Sequence, residues 1–423
     1  MTNTISEKIY IDFYYKIFLI FFCLSPYTLI FNGITDILIS FIGILGLYYL
    51  YKIKFFLKIV FKIQYLIPLA FYFYIVLNSY YSSEDINLSA KSSIVYIRFI
   101  IFYFILSELL KNEKFRNKLF GSIKFILIFW LIAGIFISSD ILFQFYTEYS
   151  LFGHKSTDNR LSGPFEELLA GKYLSNFFLL LSVIPLLYLK VRFFLILFYI
   201  FFLSIIILIT GERMAFINTI FLIVLFIFFD NNYLTKKKKL LIIFLFFFVF
   251  ATAMSFNKDL FDRNVTQTIN QILGKTNVSA DKKYFLDHYG ILFKTAIEIT
   301  KRDPIFGTGQ KTFRNECSKN NYEFIERVEL RCSTHPHNYL LEILSENGLI
   351  GLFLIASTLF IIIKSNLRYE LLMHRYILFQ LIVFLNPLQI TGRFTNTWIS
   401  SSMWILIYFM ILFSYYENNQ KSK

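Results

Sequence analysis

The chain has 423 residues, of which 57% are hydrophobic and 20% aromatic, while only 17% are charged. That is more apolar surface than a soluble core hides, so lipid is the expected solvent for most of it. The formal charge of +14 would suit nucleic acid in a soluble protein, but the cations fall between apolar segments, as membrane orientation signals do, and no nucleic-acid partner is expected.

Composition also selects the secondary structure. Fifty-four Phe and 29 Tyr against 16 Gly and 7 Pro make long, bulky, helix-compatible runs, whereas a membrane barrel shows short alternating segments broken by turns. The expected fold is an all-α integral membrane bundle of about twelve transmembrane helices. Each crossing takes about 20 apolar residues, which places spans near 14–32, 34–50, 63–78, 93–110, 120–138, 168–188, 193–210, 214–229, 240–256, 338–363, 376–390 and 398–414. The first run lacks a small-residue cleavage site and reads as an uncleaved span; bulky Phe21 and Phe22 before Cys23 argue against lipidation.

Cations in alternate connections give the orientation, because cytoplasmic loops collect Lys and Arg. Lys52, Lys54, Lys58 and Lys62 form the first group, Lys111, Lys114, Arg116 and Lys118 the second, Lys190 and Arg192 the third, and Lys236 to Lys239 the fourth. The alternation puts Lys364, Arg368 and Arg375 on the same side, together with both termini. The chain thus divides into five spans over 1–138, a non-cytoplasmic loop over 139–167, four spans over 168–256, a large non-cytoplasmic loop over 257–337, and three spans with a cytoplasmic tail over 338–423. Loops as long as the second are functional or disordered more often than not. Phe285, Tyr289, Leu292, Phe293, Ala296, Ile297 and Thr300 recur on one helical face, with Asp287, Lys294, Glu298 and Lys301 elsewhere, which favours an ordered amphipathic helix between spans 9 and 10. Pro304, Gly307 and Gly309 then stop it in a tight turn.

The richest polar stretch runs from Cys332 through His335-Pro336-His337-Asn338 to Glu342, Ser345 and Glu346, straight into a span. Ser333 or Thr334 can cap, Pro336 suits the first turn, and His337 is expected within that turn, where a helix N-terminus keeps an imidazole neutral. Read alone, the histidines also fit wet, idle positions at a membrane interface. Glu342 and Glu346 tip the balance, since carboxylates near hydrocarbon are costly and are retained for a role. Asn338, Glu342 and Ser345 share a polar stripe. Cys332, His335, His337 and Cys317 offer a zinc ligand set, but the spacing is unusual and Pro336 limits convergence of the rings, so no metal is expected. A Cys317–Cys332 disulfide fits better; closing a loop of about 15 residues contributes roughly 3 kcal/mol in the chain-entropy model.

Arg213, after the apolar run from Phe193, is expected at the outer surface. It is either an interfacial Arg pairing with Glu212 or a guanidinium gripping pyrophosphate. Arg160, Arg314 and Arg393 lie on the same side. No Asp-x-Asp occurs, which weakens a metal-dependent glycosyltransferase, and no Walker or Rossmann glycine pattern appears. Arg98 and Glu108 are the main charges noted inside the first spans, fewer than a proton-coupled transporter normally carries.

Over about residues 140–351 these features resemble the bacterial O-antigen ligase and polymerase superfamily of membrane glycosyltransferases. The resemblance rests on His335-Pro336-His337-Asn338-Tyr339-Leu340-Leu341-Glu342, Glu346-Asn347-Gly348-Leu349-Ile350-Gly351 and Pro304-Ile305-Phe306-Gly307-Thr308-Gly309. Gln144, Gly153, Arg160 to Phe165 and Thr210-Gly211-Glu212-Arg213 add to it. It implies transfer of a glycan from undecaprenyl pyrophosphate to an acceptor hydroxyl, on lipid A-core or on another glycan, at the periplasmic face of the bacterial inner membrane. It also implies His337 as general base and Arg213 as a pyrophosphate contact, with no cofactor. Where the family has a further Arg before the amphipathic helix, this chain has Asp287-His288-Tyr289, so His288 or another Arg takes that place. The candidate substrate-binding set is therefore Arg213, Arg160, His288, Arg314, Asn338 and Glu342. A ligase is preferred on the family's name-giving activity; a polymerase shares every feature, and a flippase without chemistry is the remaining alternative.

Overall fold

The computed structural model describes residues 2–31, 33–52, 62–157, 160–229, 235–256, 258–273, 275, 288–319, 328–367, 372–387, 389–390, 392–395 and 397–421. Lys54, Lys58, Phe285, Asp287 and Arg368, singled out above, lie outside these residues. Among the described residues the fold is helical, with two isolated bridges, Tyr149 with Lys155 and Thr157 with Arg160.

Each of the twelve apolar runs falls on helix. The first half holds α1 (Thr2–Thr28), α2 (Ile34–Lys52), α3 (Ile63–Tyr81), the joined pair α4 (Ile86–Ile94) and α5 (Ile97–Leu109), the short basic α6 (Glu113–Gly121) and α7 (Ile123–Thr147). Helix α7 runs nine residues beyond the expected 138. It does so because Ile141 and Gln144 continue its buried face, and it ends where Glu148 turns left-handed. Next come α8 (Ala170–Asn176), α9 (Phe178–Leu181) and α10 (Val183–Tyr188), then α11 (Phe193–Ile209), α12 (Arg213–Phe229) and α13 (Lys236–Phe256).

The segment after α13 carries α14 (Lys258–Phe261), a π-helical turn over Asp262–Thr266 and α15 (Gln267–Ile272), none of which the sequence reading placed. It then has α16 (His288–Arg302), α17 (Phe313–Glu316) and α18 (Val328–Arg331). The buried face of α16 is Ile291, Leu292, Thr295, Ala296 and Ile299, rotated from the expected one, and Ile297 is 42% exposed. The chain closes with α19 (Tyr339–Asn366), α20 (Leu372–Phe384) and α21 (Thr397–Lys421). Helix α20 ends six residues before the expected 390, leaving a loop that returns to the site.

Six of these helices are long and apolar enough to cross a membrane among the described residues, the pair Ile86–Leu109 counting as one, and α8 with α9 and α10 makes a seventh if a bent pair is one span. Helices α11, α12 and α20 are shorter and apolar. Large apolar side chains point outward along the peripheral helices, among them Ile44 on α2, Phe244 on α13 and Phe353 on α19, as a lipid-facing surface requires. Helix α21 is the central post. Its Trp404 and Tyr408 meet Phe99 and Phe102 of α5, and its Phe409 meets Phe22 and Trp130.

The lysine-rich connections gather at one end of the bundle. Lys118 pairs with Asp12, Lys111 with Glu108, Lys238 lies 4.5 Å over the Phe193 ring, and Tyr416 meets both Phe120 and Tyr188. The segments after α7 and α13 and the cavity described below sit at the opposite ends of the same helices.

Two helices are broken, and both breaks are satisfied. The expected single span over 168–188 bends by 81° between Asn176 and Phe178. Gln380 of α20 fills the gap: its Oε1 accepts from Leu179 N at 3.0 Å and its Nε2 donates to Ser175 O at 2.7 Å. One carboxamide thus replaces the two backbone partners lost at the bend, without which buried groups would remain unpaired.

Candidate functional site

The second break is in α19 at Gly348, whose φ of 62° and ψ of −167° belong to glycine alone. The segment Pro304 to Gly309 lies across it as a strap. Leu349 N donates to Pro304 O at 2.9 Å and Ile350 N to Ile305 O at 3.2 Å, while Thr308 N and Gly309 N donate back to Ser345 O and Glu346 O. Two of the motifs on which the resemblance rests are therefore one unit, strap and break, held together by four backbone hydrogen bonds. Glu346 locks it by accepting from Lys311 N at 2.8 Å and Phe313 N at 3.3 Å.

This unit fixes the start of α19 and, just before it, His337. The cap is Asn338, not Ser333 or Thr334: its side chain accepts from Leu341 N at 3.1 Å. His337 consequently stands outside the helix, with φ at +57°, a left-handed conformation that His tolerates better than most residues. Asn338 Nδ2 also donates to Pro387 O at 2.7 Å, and Glu342 accepts from Phe394 N at 2.6 Å, so both side chains brace the loop after α20. That loop returns Arg393, whose Nη2 donates to Thr334 O at 2.5 Å. On the other side Cys332 is joined to Cys317, with Cα atoms 5.1 Å apart. The disulfide consumes both thiols that a zinc site would have needed, and among the described residues no three His, Cys, Asp or Glu side chains converge as metal ligands.

The His337 ring lies 4.1 Å from that of His335 and meets Tyr289 of α16 edge-on at 5.4 Å. Burial, aided by the nearby His288 and Lys172, pushes its imidazole down to about 4. The ring is therefore neutral near pH 7 and available to accept a proton, through burial and not through a helix terminus, since His337 stands outside the helix.

The turn Thr210-Gly211-Glu212-Arg213 forms the facing wall. Glu212 does not pair with Arg213. Its carboxylate turns to α8, where Oε1 accepts from Gly171 N at 2.9 Å and Oε2 from Lys172 N at 3.2 Å. Gly171 permits the approach, since a Cβ there would meet Thr210 Oγ1 at 2.3 Å and Glu212 Cβ at 3.0 Å. Burial pushes the Glu212 carboxyl up to about 7, against the pull of Arg160 and the Gly171 amide. Arg213 is left facing open space, with one long contact to Thr268 Oγ1 at 3.4 Å. The neighbouring loop is tied to this turn by Leu161 N to Thr210 O at 3.1 Å. It is organised by buried Gln144, which accepts from Gly163 N and donates to His154 O, and it delivers Arg160.

These walls enclose a cavity of about 820 Å³. Its lining holds Arg160, Lys172, Arg213, Arg263, Arg314 and Arg393 against two carboxylates, Glu167 and Glu212, together with Tyr289, His335 and His337. Such a surplus of cations in a partly dry pocket suits a multiply charged anion. His337, Arg213, Arg160 and Arg314 thus converge. His288 lies close to His337 but does not line the cavity, and neither do Asn338 and Glu342, which are spent on bracing.

Lys172 and Arg263 were missed by sequence reasoning. Lys172 carried a usable signal, a lone cation in the apolar run 168–188. Arg263 sits on the π-helical turn, within reach of Gly211 O and Gln267 Oε1, where no regular period could reveal it.

Residues 198–356 match the family described as O-antigen ligase. The stretch contains the Thr210–Arg213 turn, the strap, the break and His337. No curated protein matches the chain.

Proposed function

We propose that this chain, which carries an O-antigen ligase family domain over residues 198–356, transfers a glycan from undecaprenyl pyrophosphate to an acceptor hydroxyl on lipid A-core. The carrying observation is the placement of His337, whose imidazole burial pushes down to about 4, at the wall of a cavity whose facing wall presents Arg160, Lys172, Arg213 and Arg263. In this reading His337 takes the proton of the acceptor hydroxyl as its oxygen attacks the anomeric carbon. The bond from that carbon to the pyrophosphate oxygen breaks, and the extra negative charge is received by the cationic wall. Arg213 suits the role because Glu212 is turned away from it, and a guanidinium fork matches phosphate oxygens in pairs.

The charge distribution supports the orientation. With the lysine-rich end in the cytoplasm, the cavity faces the periplasm of a bacterial inner membrane, and twelve spans return both termini to the cytoplasm. Deletion of the gene, complemented with wild type or His337→Ala, tests the reading on a lipopolysaccharide gel. The expected result for deletion and variant is loss of the whole ladder with accumulated undecaprenyl-linked polymer. Core bearing a single repeat would instead mark a polymerase, and an unchanged ladder with His337→Ala would overturn the assignment.

A further inference from the structure

The cavity has a second cationic flank. Arg314 and Arg393 both line it, and Arg393 disfavours the charge on Arg314 and on nearby Lys311, in each case after burial, the larger cause. The Nε atoms of Arg314 and Arg393 are buried with no hydrogen bond among the described residues. The acids beside them are shared between these arginines and backbone amides. Glu346 accepts from the Lys311 and Phe313 amides, and Glu342 accepts from Phe394 N while standing 3.8 Å from Arg393 Nε. Cations held together against their repulsion, with donors unfilled, form a site for an anion.

The position of His337 says which anion. On one side it meets Tyr289, which lies beside Arg213. On the other it meets His335, bonded at 2.8 Å to the hydroxyl of Thr334, whose carbonyl holds Arg393. The base therefore stands between the two flanks. A hydroxyl attacking as the pyrophosphate leaves approaches the anomeric carbon from the opposite face, so acceptor and leaving group belong on opposite sides of the base. Arg393, and Arg314 whose charge it disfavours, stand on the side of the base away from Tyr289 and Arg213.

We propose that Arg314 and Arg393 bind an anionic substituent, a phosphate or a carboxylate, on the acceptor glycan, and so select charged acceptors. The inference rests on the transfer reaction proposed above.

The test uses the full-length protein in proteoliposomes with undecaprenyl-pyrophosphate-linked glycan as donor. The acceptor is a lipid A-core glycolipid, either native, stripped of phosphate with hydrogen fluoride, or amidated at its carboxyls. Wild type is expected to show a KM raised about ten-fold, equivalent to one charge-assisted contact, for one of the two treated acceptors, which identifies the anion. Arg314→Gln and Arg393→Gln are expected to raise KM for the native acceptor by the same order and to add nothing with that treated acceptor. KM for the donor should stay within about two-fold, and Arg314→Lys should recover most of the loss. If transfer proceeds and neither treatment matters, the acceptor-anion site is overturned and the reaction stands. If KM for the donor rises in step, these arginines hold pyrophosphate and the proposal likewise falls. No transfer by wild type to any of the three acceptors overturns the reaction and the inference with it. Arg393 also braces Thr334, so Arg314→Gln and the treated acceptors decide the matter should Arg393→Gln fail to fold.

Discussion

Gly307 and Gly348 cross backbone to backbone: a Cβ on Gly307 would stand 2.5 Å from Asn347 N, and one on Gly348 would stand 2.2 Å from Ile305 O. Neither obstacle is a flexible side chain, so neither can yield without breaking the strap. Gly348→Ala adds the strain of a conformation open only to glycine, and the expected loss is about 3 kcal/mol or more. Gly121 serves as control, since a Cβ there meets nothing within 4 Å and Gly121→Ala should be neutral or slightly stabilising. Fluorescence-detected thermal melting in detergent checks both; a Gly348→Ala melt equal to wild type would mean that the strap and break are not coupled.

Glu212 frees Arg213 by bonding to α8, which makes a two-part prediction. Arg213→Ala removes a charge-assisted contact to the leaving group and should lower kcat by about a hundred-fold or more. Arg213→Lys keeps the charge without the fork and should recover part of it. Glu212→Ala frees the Gly171 and Lys172 amides and loosens the wall, so KM for the donor should rise while kcat falls less. Steady-state kinetics on Arg213→Ala and Glu212→Ala separates these patterns. Equal losses in kcat for both would show that Glu212 takes part in the chemistry.

Much of this arrangement was legible in the sequence, for identifiable reasons. Lipid imposes long apolar runs, so the twelve runs read as spans fall on helix, six or seven of them long and apolar enough to cross a membrane among the described residues, and the glycines of the strap and break stood out because each serves a backbone that nothing else fits. The breaks themselves were illegible: the 81° bend depends on Gln380, some two hundred residues away in sequence from the groups it satisfies. The cap was misplaced because Ser333 and Thr334 are good cappers locally, whereas Asn338 wins by also holding Pro387 across the loop. Glu342 looked like a ligand because it is an acid near hydrocarbon; its partner, the amide of Phe394, is supplied by tertiary structure alone.

The pH profile should separate free enzyme from the donor complex. His337 must be neutral to accept a proton, and its imidazole is pushed down to about 4, so kcat/KM for the acceptor without donor prebound should fall only as pH drops toward that value. The pyrophosphate brings negative charge beside the ring, which favours the imidazolium and raises its pKa. The acid limb of kcat should therefore lie at higher pH than that of kcat/KM. A further limb near pH 7 that disappears in Glu212→Gln belongs to Glu212, whose carboxyl burial pushes up to about 7. If kcat/KM already falls at the pH of a free imidazole, about 6.5, His337 is solvated and the cavity is wetter than described.

The Cys317–Cys332 disulfide belongs to a small core of its own, in which Leu292, Ala296, Ile299 and Phe313 pack with Cys317 against Cys332 and Leu341. That core is separate from the transmembrane one, so its loss should be local. Closing the 15-residue separation contributes about 3 kcal/mol to this unit in the chain-entropy model. Cys317→Ser with Cys332→Ser should therefore raise amide exchange over α16, α17 and the segment leading to His337, while α5 and α21 keep their protection. Activity should fall with it, because the left-handed His337 loses one of the ties that hold it against Tyr289. Reductant should reproduce the effect in wild type and have none on the double variant, as measured by hydrogen exchange with mass spectrometry and by transfer assay on the same samples. Exchange that rises equally in α21 would place the disulfide in the global folding unit and overturn the account of a satellite core.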